Sequence, residues 1–466
     1  MSERTSIHGQ WSSRLAFILA ATGSAVGLGN IWKSPYITGE NGGGAFVLVY
    51  LLCVCLVGIP VMMAEIMLGR RGRQSPINAM EWLARSEGVS PHWRLLGWSG
   101  VVAGFLILSY YSVIAGWALA YVFRAVGGAF EGLGPEGVKA LFDRFVGDPE
   151  ALLAWHTIFM VLTMIVVARG VRSGLERAVT LLMPALFVLL LILVGYALST
   201  GAFGQGLDFL FKPDFGKLLF HCEVVNGREH CEFSGSPVLI AMGHAFFTLS
   251  LGMGAIMVYG SYMPKGVSIA RSSFVIAIAD TLVALLAGMA IFPIVFANGL
   301  EPGAGPGLIF QTLPVAFGAM PGGRLFGTLF FVLLVFAAWS SAISLVEPAV
   351  AWLVENRGMS RVRASVWTGF WVWLCGLVTI FSFNIGRDWR LWGKTGFDLL
   401  DYLTANIMLP LGGLCIALFA GWVMRRASSE DELAMGRLGF GLWWGVIRYV
   451  SPLLVLVVFM HAIGVF

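Results

Sequence analysis

Apolar residues fill this chain in long runs, without the alternation of half-buried strands or the narrow stripes of soluble helices. A spanning helix needs about 20 mostly apolar residues. By that rule the sequence predicts eleven spans, at about 14–38, 45–69, 95–126, 152–169, 175–199, 236–262, 271–298, 324–354, 364–384, 396–424 and 440–464. Longer polar connections fall at about 127–151, 200–235 and 299–323. The last holds Pro302, Pro306, Pro314 and Pro321 around the apolar Leu308, Ile309 and Phe310. It reads as a re-entrant or lid-like segment, with a plain exposed loop as the alternative.

Two of the runs are interrupted at mid-depth. The first carries Gly23, Gly27 and Gly29, with Ser24 and Asn30 among them. Glycine weakens a helix, and backbone groups freed inside a bilayer must find partners. Gly23 and Gly27 alone could simply admit a neighbouring helix. Asn30, Lys33 and Pro35 just after them favour a broken helix that lines a site. The sixth span repeats the feature, with Thr248, Ser250, Gly252 and Gly254 at mid-span and His244 a turn earlier. Breaks at matching positions of two halves point to an inverted-repeat transporter with its site between the halves. The expected fold is therefore an all-α polytopic membrane protein with eleven transmembrane helices. It forms one transporter domain over 1–466. Repeat one covers about 12–200, repeat two about 236–424, and an additional helix about 440–464.

Composition agrees with this pattern: the chain is 58% hydrophobic and only 12% charged, with a mean hydropathy of +0.82. A large soluble core would not need so little charge. The polar first residues and the length of the first run argue against a cleavable signal. Positive charge gathers in alternate loops: Arg70, Arg71 and Arg73; Arg169, Arg172 and Arg177; Lys265 and Arg271; Arg357, Arg361 and Arg363; Arg425, Arg426 and Arg437. The positive-inside rule then places the N-terminus in the cytoplasm and the C-terminus outside a plasma (inner) membrane. Arg387, Arg390 and Lys394 break the trend in an outer loop. Of six cysteines, Cys53, Cys55, Cys375 and Cys415 lie in apolar runs and read as packing residues. Cys222 and Cys231 flank Asn226 and Gly227 in an outer polar loop. They are a disulfide candidate, with two free thiols as the alternative.

Polar groups inside the spans are the remaining chemistry. Ser340 and Ser341 are adjacent in the eighth span, where hydroxyls usually bond to the preceding backbone turn. Beside a broken helix they become candidate oxygen ligands for an alkali cation. Asp280 lies deep in the seventh span and marks a functional site by default. Glu65 and Glu347 fall under the same rule nearer the helix ends. No nucleophile–base pair or metal cluster suggests an enzyme, and no continuous polar run suggests a channel.

The motifs AVGLGNIWKSPY (25–36), ENGGGAF (40–46), YYSVIAGW (110–117), FFTLSLGMGA (246–255) and FAAWSSAIS (336–344) resemble those of the neurotransmitter:sodium symporter family. The likeness covers nearly the whole chain and extends to bacterial members such as the leucine transporter and hydrophobic amino-acid transporters. Eleven spans instead of twelve is a bacterial variant of that family. The resemblance implies two sodium sites. The first would use Ala25, Asn30, Thr248 and Asp280 with the substrate carboxylate. The second would use Gly23, Val26, Ala337, Ser340 and Ser341. It also implies that the carboxylate meets the amides of Leu28 and Gly29 and the Tyr111 hydroxyl. The amino group would meet Ala25, Phe247, Thr248 and Ser250. Ile107, Tyr111, Phe247, Met253, Ser341 and Leu345 would line the side-chain pocket.

Gates follow from the same resemblance. Lys33 and Asp401 occupy the outer charged positions, where the family usually has Arg in place of Lys33. Trp11, Tyr262 and Ser261 match the inner gate. Its usual arginine falls on His8 and its aspartate on Glu355, and Arg4 is a possible substitute. His244 stands where chloride-dependent relatives have Gln, and Asp280 where they have Asn, so chloride is not expected to be required. Monoamine carriers have Asp at the position of Gly27, so the substrate here should bring its own carboxylate. The expected function is sodium-coupled symport of neutral, hydrophobic or aromatic, L-amino acids. The alternatives are a sodium-dependent carrier of small amino acids or related zwitterions, and a non-transporting amino-acid sensor on the same fold. The partners implied are the substrate and the bilayer, with no nucleic acid and no indication of oligomeric state.

Overall fold

A computed structural model describes residues 6–225, 228–302, 307–463 and 465, with backbone alone for 221–225, 228–232 and 462. Among the described residues nine helices are long and apolar enough to cross a membrane. They are Gly44–Gly72, Pro91–Val126, Pro149–Ala168, Val171–Leu198, Ile269–Ala297, Gly323–Arg357, Arg361–Ser382, Gly396–Val423 and Arg437–His461. A tenth is the pair Arg14–Ala25 and Gly29–Glu40, bent by 50°. The shorter pair Ser236–Thr248 and Ala255–Ser261 occupies the place of the expected sixth span. The two broken spans open the two five-span sets, and the last span stands apart from them.

Local chemistry explains several helix starts. Ser13 accepts from the Ala16 N–H, Asp148 from Glu150 and Ala151, and Ser360 from Arg363. These side chains satisfy N–H groups that a first turn leaves free. Thr395 and Asp398 cap each other reciprocally before the tenth span. The breaks have equally local causes. Val26 turns to an extended conformation with ψ at 109°. In the sixth span Ser250, Gly252 and Gly254 take φ of 54°, 80° and 74°. Glycine adopts that left-handed region without the steric penalty of a side chain. A Cβ on Gly252 would also stand 2.7 Å from the Leu409 carbonyl oxygen.

The spans pack closely where side chains are absent. A Cβ at Gly69 would stand 1.9 Å from the Met257 carbonyl oxygen, so the second span and the second half of the sixth meet backbone to backbone. Leu181, Val188 and Leu191 on the fifth span and Phe274 and Ile278 on the seventh stay exposed. Such apolar surface belongs against lipid tails.

The two ends of the bundle differ. One end gathers the arginine-rich loops and is called the basic end here. The opposite end carries a hairpin of Phe220–Val225 and Arg228–Phe233, whose register places Cys222 opposite Cys231. The side chains of both cysteines lie outside the described residues. A hairpin was not expected, although the Asn226–Gly227 dipeptide between its strands is a strong turn signal. Leu308–Thr312 and Leu313–Ala319 form a folded lid at the hairpin end. Phe310 packs 5.2 Å from the Tyr121 ring and 5.7 Å from Trp117, so the segment is not a plain exposed loop. Short connecting helices, among them Pro76–Glu87, Pro135–Val146 and Arg426–Leu433, lie outside the reach of a rule tuned to 20-residue runs.

Candidate functional site

The first break collects its polar groups around its own backbone. The Gly27 N–H donates to Asn30 Oδ1 at 3.0 Å, and the Leu28 N–H donates to the Tyr111 hydroxyl at 3.1 Å. The Ser250 hydroxyl, from the second break, donates to the Ser24 carbonyl at 2.8 Å. The two interrupted spans therefore touch at their interruptions. Glu65 supports the second break by accepting from the Gly252 N–H at 2.5 Å.

Asp280 is the hub of one oxygen cluster and is fully buried. Asn30 Nδ2 donates to its Oδ1 at 2.7 Å, and the Thr248 hydroxyl lies 3.1 Å from both carboxylate oxygens. Tyr50 adds a hydroxyl at 3.4 Å from Oδ2. No ion pair with Asp280 is formed among the described residues. Asn30, Thr248 and Asp280 are thus brought together, while Ala25 lies in the wall of a small cavity. Tyr50 was not anticipated, because its hydroxyl reaches Asp280 only through the packing of the second span on the seventh.

Ser341 is the hub of a second cluster. Its hydroxyl lies 3.3 Å from the Gly23 carbonyl, 3.2 Å from Ser24 and 3.0 Å from Val26. One hydroxyl proton serves one acceptor well, and Ser24 already accepts from Ser250, so the Gly23 and Val26 carbonyls share what Ser341 offers. Ser340 Oγ bonds the carbonyls of Phe336 and Ala337 at 3.1 and 3.0 Å. That is the ordinary backbone bond of a helical serine. Ser340 nevertheless borders the break, since a Cβ at Gly23 would stand 3.3 Å from its own Cβ.

A small cavity of about 20 Å³ lies between these clusters. Its wall contains Ala25, Leu28, Gly29, Ile107, Tyr111, Phe247, Ser250, Met253, Ser341 and Leu345, joined by Ser24 and Gly27. Of the residues expected around a substrate, Thr248 alone is missing from that wall and sits instead on Asp280. Gly27 has no room for a side chain: a Cβ there would stand 2.5 Å from Ser341 Oγ and 2.8 Å from the Tyr111 hydroxyl.

Above it, toward the hairpin end, lies a cavity of about 640 Å³. Leu28, Tyr111 and Phe247 border both spaces. Lys33 and Asp401 line this larger cavity but form no ion pair with each other. Lys33 Nζ rests 4.7 Å from the centre of the Phe247 ring. Arg387 and Arg390 also line it, and Lys394 lies over the Tyr402 ring at 4.6 Å. Two of the cations that break the loop-charge pattern, Arg387 and Arg390, are therefore fittings of this mouth.

The basic end is closed by contrast. Trp11 donates from its backbone N–H to the Tyr262 carbonyl and from its indole to the Tyr259 carbonyl, both at 3.0 Å. Tyr262 donates to Glu347 at 2.7 Å, and Glu347 pairs with Arg361. His8 Nε2 meets Glu355 Oε1 at 3.1 Å. Glu355 also accepts from the Ser75 N–H at 2.8 Å, the Ser75 hydroxyl at 2.5 Å and Asn78 at 2.8 Å. Its charge is solvated whether or not His8 carries a proton. Arg4 lies outside the described residues. The Glu347–Arg361 pair was missed because Arg361 stood out in the sequence only as a loop charge.

With this geometry in hand, comparison with known proteins is decisive. Residues 8–130 and 145–466 match the Sodium:neurotransmitter symporter family. The chain belongs to that family. The uncharacterized sodium-dependent transporter YhdH of Bacillus subtilis is 39% identical over 100% of this chain and 99% of its own length. An uncharacterized sodium-dependent transporter of Haemophilus influenzae is 32% identical over 97% of each chain. Among solved structures, MhsT in complex with L-phenylalanine superimposes with a TM-score of 0.88. It is 42% identical over 97% of this chain and 99% of that one. A symporter of this family is a multi-pass membrane protein, in keeping with the eleven spans and their lipid-facing apolar belt.

Proposed function

We propose that this symporter carries neutral L-amino acids, hydrophobic or aromatic, together with sodium, by alternating access. The observation that carries the reading is the meeting of the two breaks around Gly27. The Leu28 amide already donates to the Tyr111 hydroxyl there, and Gly27 brings no charged side chain to that point. Amides at the start of a half-helix attract an anion. A substrate carboxylate supplies it, and the substrate amino group turns toward the carbonyls and the Ser250 hydroxyl. The resemblance to MhsT, solved with L-phenylalanine, supports an aromatic or large apolar side chain. Met253 and Phe247 offer it adaptable apolar walls.

Two sodium ions are co-substrates in this reading. The Asp280 cluster takes one: a buried carboxylate satisfied only by neutral donors is costly, and a cation offsets that cost. The converging carbonyls of Gly23 and Val26 with Ala337, Ser340 and Ser341 take the other, since uncharged oxygens suit an alkali ion. A fixed charge at Asp280 also supplies what chloride would otherwise bring. The basic end faces the cytoplasm, following the loop arginines. The hairpin end faces outward, with Lys33 and Asp401 as its gate. Substrate and sodium together favour closing the outer cavity, after which the Trp11, Tyr262 and Glu355 contacts open. No covalent step is involved.

A smaller zwitterion is the second reading, favoured by the tight central cavity of about 20 Å³. Thermal shift of the purified protein with each of the twenty amino acids, with and without sodium, separates the two. A ligand that binds only the folded state raises the melting temperature, and at equal concentration the tighter ligand raises it more. Large apolar residues should stabilise most, and only with sodium. A series led by glycine and alanine would reverse the assignment. Tryptamine should give no shift where tryptophan does, because it lacks the carboxylate.

A further inference from the structure

A side cavity of about 380 Å³ lies between the half-helix Ser236–Thr248, the tenth span and the last span. Its walls are mostly apolar, with Ile37, Ile240 and Val458 among them. Its polar fittings are Lys33, His244, Asn406 and His461, and none of its described lining residues is acidic. His244 is 3% exposed, and neither ring nitrogen has a hydrogen-bond partner. Its ring packs 5.3 Å from that of Tyr50. A buried imidazole without a partner is unusual and marks a place where a ligand atom fits. Ile240 is 38% exposed and sits on the lipid-facing flank of this wall.

We propose that this side cavity binds a monocarboxylate with a medium-length alkyl tail, held by the Lys33 ammonium and a His244 ring N–H. The chemistry of the lining selects the ligand. Ammonium, imidazole N–H and the Asn406 amide are donors, so the head is an acceptor-only anion, and a cation is repelled. The apolar walls and the lipid-side position of Ile240 select a tail. The volume suits roughly eight carbons and is on the scale of ordinary ligand pockets.

Lys33 lines both this cavity and the outer one that contains Asp401. A single ammonium cannot serve a carboxylate on each side at once. A bound monocarboxylate therefore holds Lys33 away from Asp401 and slows closure of the outer path. That consequence rests on the symport reading, whereas the binding itself does not.

Isothermal titration of the purified full-length protein with octanoate tests the binding directly. Octanoate should bind one to one, and 1-octanol and acetate should each bind at least about tenfold more weakly, because each lacks half of the recognition. His244→Phe keeps the ring and removes both nitrogens, and it should weaken octanoate about tenfold. Ile240→Trp fills the cavity from its lipid side and should do the same while leaving basal amino-acid uptake unchanged. Equal binding of octanol and octanoate would overturn the proposal, as would unaltered octanoate binding in both variants. A third arm places the protein in nanodiscs of phosphatidylglycerol instead of phosphatidylcholine. Unchanged octanoate affinity there supports the monocarboxylate; loss of octanoate binding in the wild type would assign the cavity to an anionic lipid headgroup instead.

Discussion

The Asp280 cluster and the Ser341 cluster both touch the first break, yet one is built on a buried carboxylate and the other on neutral oxygens. Around Asp280, Asn30, Thr248 and Tyr50 turn their donors onto the charge. Around Ser341, carbonyls of Gly23, Ser24 and Val26 converge on one hydroxyl. A charged site attracts a cation strongly, and it also needs donors to quiet it when the cation leaves. A neutral site attracts less and releases more readily. In the proposed reading the two clusters are a strong and a weak partner for the coupling ion, with the substrate between them.

The most severe way to break this arrangement is Gly27→Asp, which crowds Ser341 and the Tyr111 hydroxyl at once. Its Cβ would stand 2.5 Å from Ser341 Oγ, and its charge would repel a substrate carboxylate. Uptake should be abolished in proteoliposomes, with size-exclusion profiles showing that the protein still folds. Asp280→Asn should come next. It keeps the shape and removes the charge, so apparent sodium affinity should weaken roughly ten- to hundredfold, as for loss of a charged hydrogen-bond partner. Added chloride should recover part of the uptake. Recovery as complete with gluconate as with chloride would show that charge at this position is not what was lost.

Ser341→Ala sharpens the contrast from the neutral side. Losing an uncharged hydroxyl should weaken sodium roughly two- to tenfold, and chloride should not help. A loss as large as that of Asp280→Asn would erase the distinction between the clusters. Lys33→Arg should have the smallest effect. Arginine's fork holds a carboxylate in two places, so closure onto Asp401 should strengthen, changing half-saturating substrate by a few-fold at most at an exposed mouth. An unchanged value would remove Lys33 from the gate.

Much of this was legible in the sequence. Apolar length alone marks the spans, and the Gly, Ser and Asn clusters mark both breaks, because glycine is hard to explain at mid-membrane by any other means. The residues around the central cavity came from the family resemblance, since Ile107, Tyr111, Ser341 and Leu345 lie on the third and eighth spans, away from the breaks. What stayed hidden depends on contacts between distant spans. Tyr50 on Asp280 and Arg361 on Glu347 carry no local signature. Arg387 and Arg390 looked like a flaw in the loop charges until the fold turned them into the outer cavity. Lys33 and Asp401 were paired by position, yet both line that cavity without forming an ion pair. The connecting helices were lost to a length rule that ignores 12-residue amphipathic segments.

The central claim is that Asp280 supplies the negative charge beside the coupling ion, so that transport needs sodium and no chloride. Uptake of labelled L-phenylalanine into proteoliposomes, compared in sodium chloride, sodium gluconate and choline chloride, tests it directly. The account predicts equal uptake in the two sodium salts and none above background in choline. Uptake that fails in gluconate, or persists in choline, would contradict it.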